Sequence, residues 1–177
     1  YIYIIKYFMF NINRNYKLKA LITAGPTREY IDPVRYISNE SSGLQGYQLA
    51  KKMNEAGIQT KLILGPSKIK IDENLNVIKV TTGKEMFKAV QESLPVDIAI
   101  FSAAVADFKT ERQDQKIKKN NNELILKLSE NVDILKYIGT NNALRPKLVV
   151  GFAAETNNII EFAKKKTWTK ALWLDYC

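Results

Sequence analysis

Short apolar runs alternate with polar or amphipathic stretches from residue 19 onward, and this alternation constrains the fold more than any other feature of the chain. The strand-like runs, in chain order, are KALITAG, TKLILG, NVIKV, VDIAIFSAAVAD, ELILKL and KLVVGFAAE. The first and the last are nearly continuously apolar, which is typical of strands buried on both faces, whereas ELILKL alternates like a half-exposed strand.

Helix signals lie between these runs. The first predicted helix ends at Gly57, and its apolar residues recur about every three positions at Leu44, Tyr47, Ala50 and Met53. Thr82 and Glu85 form a capping-box pattern that opens a second helix, and Asn158 and Glu161 open a third. Strands that alternate with helices predict an α/β, Rossmann-like fold, in which a mainly parallel sheet carries helices on both faces.

The candidate functional segments directly follow the strands. In open α/β sheets, ligands bind beyond the carboxyl ends of the strands. Residues 25–43, 103–107 and 152–155 follow three predicted strands, so we expect them to meet at one rim of the sheet. The first segment belongs to the loop TAGPTREYIDPVRYISNESSG, which is far longer than the two to six residues usual for such a connection. A long loop at this end of a sheet is predicted to be functional.

The start of the first helix is a candidate phosphate site. Ser41, Ser42 and Gly43 stand there, and free amides at a helix N-terminus can hold phosphate. An ordinary serine N-cap explains the same pattern, so both interpretations stay open. An NAD(P)-dependent oxidoreductase is disfavoured, because G-x-G-x-x-G does not follow the first strand and the spaced glycines there are Gly43 and Gly46.

Composition excludes several classes of function. The 177-residue chain has no histidine, and its one cysteine is Cys177, which excludes Ser-His and Cys-His nucleophiles and a disulfide framework. The formal charge is +9, but the lysines are scattered and no nucleic-acid module is recognised, so we expect no nucleic-acid partner. The apolar run near the start is too short to span a bilayer and is interrupted by Lys6, so we expect no membrane partner. We interpret residues 1–17 as an extension or linker.

Five motifs occur in one order along the chain: ITAGPTREYIDPVRYISNESSG, SAAVADF, KIKK, LSENVDIL and VVGFAAET. Together they resemble phosphopantothenoylcysteine synthetase, the nucleotide-dependent ligase of coenzyme A biosynthesis, over about Leu18 to Lys170. The resemblance implies a ligase that joins 4′-phosphopantothenate to cysteine through an acyl-cytidylate formed from CTP. It also implies Mg²⁺ beside the triphosphate, a Lys-rich flap or hairpin, a homodimer and a cytoplasmic location.

The resemblance assigns roles to four polar residues. Asn39 is expected to contact the acyl intermediate and act in catalysis, and Arg35 is expected to contact a substrate anion. Asp107 is expected at the CTP site and is the candidate Mg²⁺ ligand, and Lys116 is the expected catalytic loop lysine near the phosphates. The alternatives are an Asx turn for Asn39, a loop ion pair for Arg35, a cap for Asp107 and a solvated charge for Lys116.

The rest of the implied CTP site lies further along the chain. The stretch expected to line the cytosine is Val132, Asp133, Ile134 and Leu135, in a motif that lacks the family's usual proline. Phe152 is expected to form an aromatic wall of that site. Lys166 and Lys170 are expected to bind the nucleotide from one face of the last helix, because they are four residues apart.

The resemblance stops after Lys170, where ALWLDYC stands in place of an expected further strand. We therefore expect residues 18–170 to form a synthetase domain that is incomplete at its C-terminal end, and residues 171–177 to form a divergent tail. The alternative to an active ligase is an inactive, truncated nucleotide-binding remnant of that family, and an NAD(P)-binding oxidoreductase is a more distant one.

Overall fold

A six-stranded parallel sheet lies at the centre of the fold in the computed structural model, which describes residues 16–118, 123–140, 143–153 and 173–176. The strands in chain order are β1 (Lys19–Ala24), β2 (Glu29–Tyr30), β3 (Tyr36–Ile37), β4 (Gln59–Leu64), β5 (Asn76–Lys79), β6 (Ile98–Phe101), β7 (Phe108–Lys109), β8 (Ser129–Glu130), β9 (Leu148–Ala153) and β10 (Trp173–Tyr176). The described helices are α1 (Leu44–Glu55), α2 (Gly83–Glu92) and α3 (Ile134–Thr140).

The order of strands across the main sheet is β10-β9-β6-β1-β4-β5, and every neighbouring pair is parallel. From β1 in the middle of the sheet, the chain therefore moves outward through β4 and β5, and then crosses to the other side of β1 at β6. Two short antiparallel pairs, β2–β3 and β7–β8, stand apart from this sheet.

Both faces of the main sheet are covered by helices. On one face, Ile22 of β1 shares a buried cluster with Tyr47 of α1. On the other face, Leu21 of β1 shares a second buried cluster with Met86 of α2 and Ile138 of α3. Successive side chains of a strand point to opposite faces, so one buried strand contributes to two cores. The predicted Rossmann-like α/β fold is confirmed.

The predicted ends of the first two helices are also confirmed. α1 buries Tyr47 and Met53, and just beyond its end Gly57 has a φ of 83°, a left-handed conformation that glycine adopts without strain. At the start of α2, the amide of Glu85 donates to Oγ1 of Thr82 (3.1 Å) and the amide of Thr82 donates to Oε2 of Glu85 (3.4 Å). This reciprocal pair is the capping box that the sequence predicts.

The prediction of a strand over ELILKL is wrong. Residues 123–128 form no regular strand, and only Leu126 among them is partly buried. The following β8 pairs with β7 over two residues, Phe108 opposite Glu130 and Lys109 opposite Ser129. Alternating side chains favour a strand only where a neighbouring strand offers hydrogen bonds, and here that neighbour is two residues long. Between β7 and β8 lie the described residues 110–118 and 123–128, a Lys-rich stretch that we call the flap.

Near the end of the chain, Trp173–Tyr176 forms β10, parallel to β9 at the edge of the sheet. This strand lies in the segment that the sequence marks as a divergent tail. The helix predicted from Asn158 lies outside the described residues. Within the part of the chain that is described, no helix combines the length and apolar character needed to cross a bilayer.

Candidate functional site

The long loop after β1 folds back on itself, so that its two ends meet at the rim of the sheet. Gly25 and Gly43 both have positive φ angles, 78° and 77°. A side chain on Gly43 would place its Cβ 3.1 Å from the Cα and N of Gly25, so the two ends come this close because residue 43 has no side chain. The loop between them carries the β2–β3 hairpin, which the sequence does not predict.

A cleft of about 620 Å³ opens at the carboxyl ends of β1, β6 and β9. β1 and β6 are neighbours, and the chain order of the strands reverses between them, which is where ligands bind in open α/β sheets. The sequence-predicted residues that line this cleft are Asn39, Asp107, Val132, Asp133, Ile134, Leu135 and Phe152. The expected convergence of loop segments at one rim is therefore present.

Asn39 bridges two walls of the cleft. Its side-chain Nδ2 donates a hydrogen bond to the backbone carbonyl of Val105, 3.0 Å away, in the loop that follows β6. Next to it, Oγ of Ser38 donates to the carbonyl of Thr27 (2.7 Å), which ties this turn to the start of the long loop. A carboxamide has two N–H donors, so Asn39 can hold Val105 with one and offer the other to a ligand oxygen.

Asn131 is a cleft residue that the sequence reasoning missed. Its Nδ2 donates to the carbonyl of Ala106 (3.1 Å), its Oδ1 accepts from the amide of Val132 (3.0 Å), and its own amide donates to the carbonyl of Asp107 (2.7 Å). These bonds join the loop after β6 to the stretch before α3. Its position inside the LSENVDIL motif is the signal that could have found it.

Other cleft residues also escaped prediction: Thr23, Gln45, Ser102, Phe108 and Glu130 line it as well. Thr23 is buried, and its carbonyl accepts the hydroxyl of Ser102 at 2.9 Å. Gln45 is in the first turn of α1, which places the start of that helix at the cleft. Thr23, Ser102, Phe108 and Glu130 lie within the five motifs, which is the signal that could have found them, whereas Gln45 lies outside those motifs.

The serines of the candidate phosphate site lie outside the cleft lining. Oγ of Ser41 accepts from the amide of Gly43 (3.3 Å), and Oγ of Ser42 accepts from the amide of Leu44 (3.2 Å). The carbonyl of Ser42 accepts from the hydroxyl of Ser67 (2.8 Å). These are local turn and loop contacts, and the role of Ser41, Ser42 and Gly43 in binding phosphate stays a prediction.

Arg35 forms the loop ion pair that the sequence offered as an alternative. Its guanidinium Nε donates to Oδ2 of the buried Asp32 at 2.9 Å, and its Nη2 donates to the carbonyl of Ile117 at 2.9 Å. The side-chain hydrogen bond from Arg35 holds the pKa of Asp32 well below its ordinary value; burial opposes this shift, and the amides of Val34, Ile117 and Arg35 add to it. Arg35 therefore lies outside the cleft, against the flap.

Lys116 stands next to Ile117 in the flap. Its side chain is exposed and does not line the cleft. Lys166 and Lys170 lie outside the described residues. The described lining of the cleft contains no lysine or arginine.

Three carboxylates line the cleft, those of Asp107, Glu130 and Asp133. No group of three or more histidine, cysteine, aspartate or glutamate side chains among the described residues is arranged to hold a metal ion. Mg²⁺ needs no such group, because it is commonly held by one or two carboxylates together with substrate phosphates and water. The exposed Asp107 fits that donor set.

A parallel sheet with helices on both faces and a cleft at the carboxyl ends of its central strands defines the class of Rossmann-like α/β domains. Within that class, the chain belongs to the family described as the DNA/pantothenate metabolism flavoprotein C-terminal domain, whose sequence model matches residues 16–174.

The curated relatives include the coenzyme A biosynthesis bifunctional protein CoaBC of Haemophilus influenzae, which is 46% identical over 157 residues, or 88% of this chain and 39% of the relative. CoaBC of Borreliella burgdorferi is 44% identical over 158 residues, or 87% of this chain and 40% of the relative. The chain thus spans about 39% of the length of the first of these relatives.

Solved structures share the fold. A crystal structure of the C-terminal domain of CoaBC has a TM-score of 0.77 at 35% identity, covering 90% of this chain and 76% of that one. A mutant of the protein Cab2 in complex with phosphopantothenate-cysteine has a TM-score of 0.71 at 17% identity, covering 90% and 72%. At that low identity, the second likeness concerns the fold alone.

Proposed function

We propose that this domain is a ligase that joins 4′-phosphopantothenate to cysteine and uses CTP to activate the carboxylate. The observation that carries the proposal is that one cleft unites residues from four separate motifs, namely Asn39, Asp107, residues 132–135 and Phe152. Family membership adds support, because the relatives are named as coenzyme A biosynthesis proteins.

The proposed reaction has two steps. First, a carboxylate oxygen of 4′-phosphopantothenate attacks the α-phosphorus of CTP, the bond to the β-phosphate breaks, and pyrophosphate leaves with that electron pair. Second, the amine of cysteine attacks the carbonyl carbon of the acyl-cytidylate, the bond to CMP breaks, and the amine loses its proton to solvent. Neither step requires histidine, since stabilisation of developing negative charge supplies most of the catalysis in acyl and phosphoryl transfer.

Several cleft residues have a place in this scheme. Val132, Ile134 and Leu135 with Phe152 offer an apolar wall for the base. Asn39 is fixed by its bond to Val105 and can donate its other N–H to the carbonyl oxygen of the intermediate as that oxygen becomes negative.

The positive charges that neutralise the triphosphate must come from outside the described cleft lining, because the charged side chains of that lining are acidic. Asp107 would hold Mg²⁺, which supplies charge neutralisation at the phosphates when it is bound. Lys116 is the proposed source of a further positive charge, and Ser41, Ser42 and Gly43 at the start of α1 are proposed phosphate contacts. Lys166 and Lys170 are proposed nucleotide contacts as well. We also propose that the protein acts in the cytoplasm and that it forms a homodimer. Light scattering of the purified chain would test the homodimer.

The test of the reaction is to incubate the chain with CTP, Mg²⁺ and 4′-phosphopantothenate in the absence of cysteine. We expect release of pyrophosphate and accumulation of the acyl-cytidylate, which mass spectrometry would identify, and slower release with ATP. Release only after addition of cysteine would contradict the two-step order. No release with any nucleotide would favour the inactive remnant.

Asn39→Asp tests the chemistry at the intermediate. The change replaces an amide donor with a carboxylate that only accepts, so the rate of product formation should fall about 100- to 1,000-fold while CTP binding changes little. Asn54→Asp is the matched control, because Nδ2 of Asn54 also donates to a backbone carbonyl, that of Asn74 at 3.4 Å, away from the cleft. Equal rates for Asn39→Asp and the control would make Asn39 a turn residue only.

A further inference from the structure

The carboxylate of Asp32 is a fully buried charge whose hydrogen bonds connect two distant loops. Its Oδ1 accepts from the amides of Val34 and Arg35, both at 2.9 Å, which fixes the turn between β2 and β3. Its Oδ2 accepts from Nε of Arg35 (2.9 Å) and from the amide of Ile117 in the flap (3.2 Å). The side chain of Asp32 is 0% exposed, so these bonds replace all of its contact with water.

Arg35 completes the connection from the other side. Its Nη2 donates to the carbonyl of Ile117 at 2.9 Å, while the same guanidinium binds Asp32. Both backbone polar groups of Ile117 are thus held by one ion pair that lies more than 80 residues earlier in the chain. This arrangement depends on the planar fork of arginine, which presents several donors in a fixed geometry.

Two further contacts hold the same part of the flap. The amide of Gln113 donates to the carbonyl of Ile31 (2.8 Å), and the guanidinium of Arg112 lies 5.3 Å from the ring centre of Tyr30. The flap is therefore docked on the β2–β3 hairpin over residues 112–117. Lys116, adjacent to Ile117, is exposed at the end of this docked stretch.

We propose that Asp32 and Arg35 are positioning residues, which fix the flap at Ile117 and thereby set where Lys116 stands. Arg35 then acts through the backbone of the flap and not by contact with a substrate anion. The effect on catalysis rests on the function proposed above, whereas the docking of the flap does not.

The docking is tested by amide hydrogen exchange at Ile117, measured by NMR on the whole chain. Asp32→Asn and Arg35→Gln each remove a partner of Ile117, so its exchange should accelerate by about tenfold or more, while amides of β1 keep their protection. Asp72→Asn is the matched control. Asp72 also accepts the amide two residues ahead, that of Asn74 at 3.1 Å, and pairs with a cation, Lys51, but neither partner belongs to the flap. Unchanged exchange of Ile117 in Arg35→Gln would overturn the proposal even if Asp32→Asn failed to fold.

The positioning role is tested by the rate of acyl-cytidylate formation in a single turnover at saturating CTP. Arg35→Lys keeps the charge but loses the fork, so it should slow this step about as much as Arg35→Gln, with unchanged CTP affinity. In the Arg35→Gln background, adding Lys116→Gln should cost little more, because Lys116 is already misplaced.

The outcomes separate the two proposals. A wild-type rate in Arg35→Lys would show that the charge of Arg35 matters and not its geometry, and would overturn the positioning role. Fully additive effects of the changes at residues 35 and 116 would do the same. If the wild-type chain forms no acyl-cytidylate, the proposed ligase function fails, while exchange at Ile117 still decides whether the ion pair docks the flap.

Discussion

Replacing Gly46 with alanine should push the start of α1 away from the sheet. Gly46 lies in the first turn of α1, where the helix meets the end of β1. A Cβ at this position would stand 2.4 Å from Oγ of Ser102, 2.6 Å from Cβ of Ala24 and 3.1 Å from the carbonyl oxygen of Thr23. The hydroxyl of Ser102 can rotate away, but the other two atoms belong to a buried strand, so the helix itself must move.

The expected loss of stability follows from three contributions. Overpacking of this kind typically costs about 1–3 kcal/mol. Rotating the Ser102 hydroxyl gives up its 2.9 Å hydrogen bond to Thr23, which contributes about 1 kcal/mol. Alanine returns about 1 kcal/mol through its better helix propensity. The free energy of unfolding should therefore fall by about 1–3 kcal/mol, and Tm should fall by about 2–4 °C for each kcal/mol in a domain of this size.

Urea unfolding followed by far-ultraviolet circular dichroism would measure this change. Gln48→Ala is the control, because Gln48 is exposed on the same helix and its replacement should alter stability by no more than about 0.5 kcal/mol. Gln45 lines the cleft and would move together with the start of α1, so Gly46→Ala should also weaken CTP binding. A Gly46→Ala chain as stable as the wild type would show that α1 stands further from β1 than the structure places it.

Three other outcomes are expected. The pKa of Asp32 is lowered by the side-chain hydrogen bond from Arg35 and by backbone amides. Burial raises the pKa of Asp97, but the amide of Lys19 and neighbouring donors outweigh it, so the net shift is downward. Tm should therefore hold down to about pH 5 and fall below about pH 4, where the unfolded chain takes up protons that the folded chain resists. A fall in Tm confined to pH 5–7 would contradict this assignment. Asn131→Ala should lower the free energy of unfolding by about 1–3 kcal/mol and weaken CTP binding, measured by urea unfolding and calorimetry, and unchanged values would refute its bridging role. Thr82→Ala should cost about 1 kcal/mol of stability without altering CTP binding, and loss of binding would show that the capping box also shapes the cleft.

The central strands could be predicted because their own apolar residues indicate that both faces of each strand are buried. β1 and β6 bury nearly every side chain, and a continuous apolar run of that length fits a strand covered on both faces wherever its neighbours lie. The strand predicted over ELILKL is absent because alternating apolar and polar residues indicate two different faces but do not provide a neighbouring strand to hydrogen-bond with. α3 was missed because it has seven residues, with Ile134 and Ile138 as its deeply buried apolar side chains, which is too short for a periodic pattern.

The cleft was predicted only in part, and the reason differs from residue to residue. Asn39, Asp107 and Phe152 were assigned by resemblance, and the structure brings them to one place. For Arg35, the sequence could not separate contact with a substrate anion from a loop ion pair. Its partner Asp32 is close in the chain, but its second contact, Ile117, is 82 residues away and is not visible from the sequence. Asn131 was missed because its bonds to the carbonyls of Ala106 and Asp107 depend on how two loops meet.

The length of the loop after β1 follows from the number of elements it connects. Thr27 accepts the amide of Ala106 (3.0 Å), and Asn39 donates to Val105, which fixes the loop after β6 from both ends of the long loop. Between those ends, buried Glu29 accepts the amide of Gly83 at the start of α2 (2.8 Å).

The hairpin at the tip of the same loop docks the flap through Asp32 and Arg35. A connection of two to six residues could reach only one of these three places. The long loop therefore sets the relative positions of the cleft wall, the start of α2 and the flap. A change inside it that touches no ligand, such as Asp32→Asn, should still alter the chemistry at the cleft.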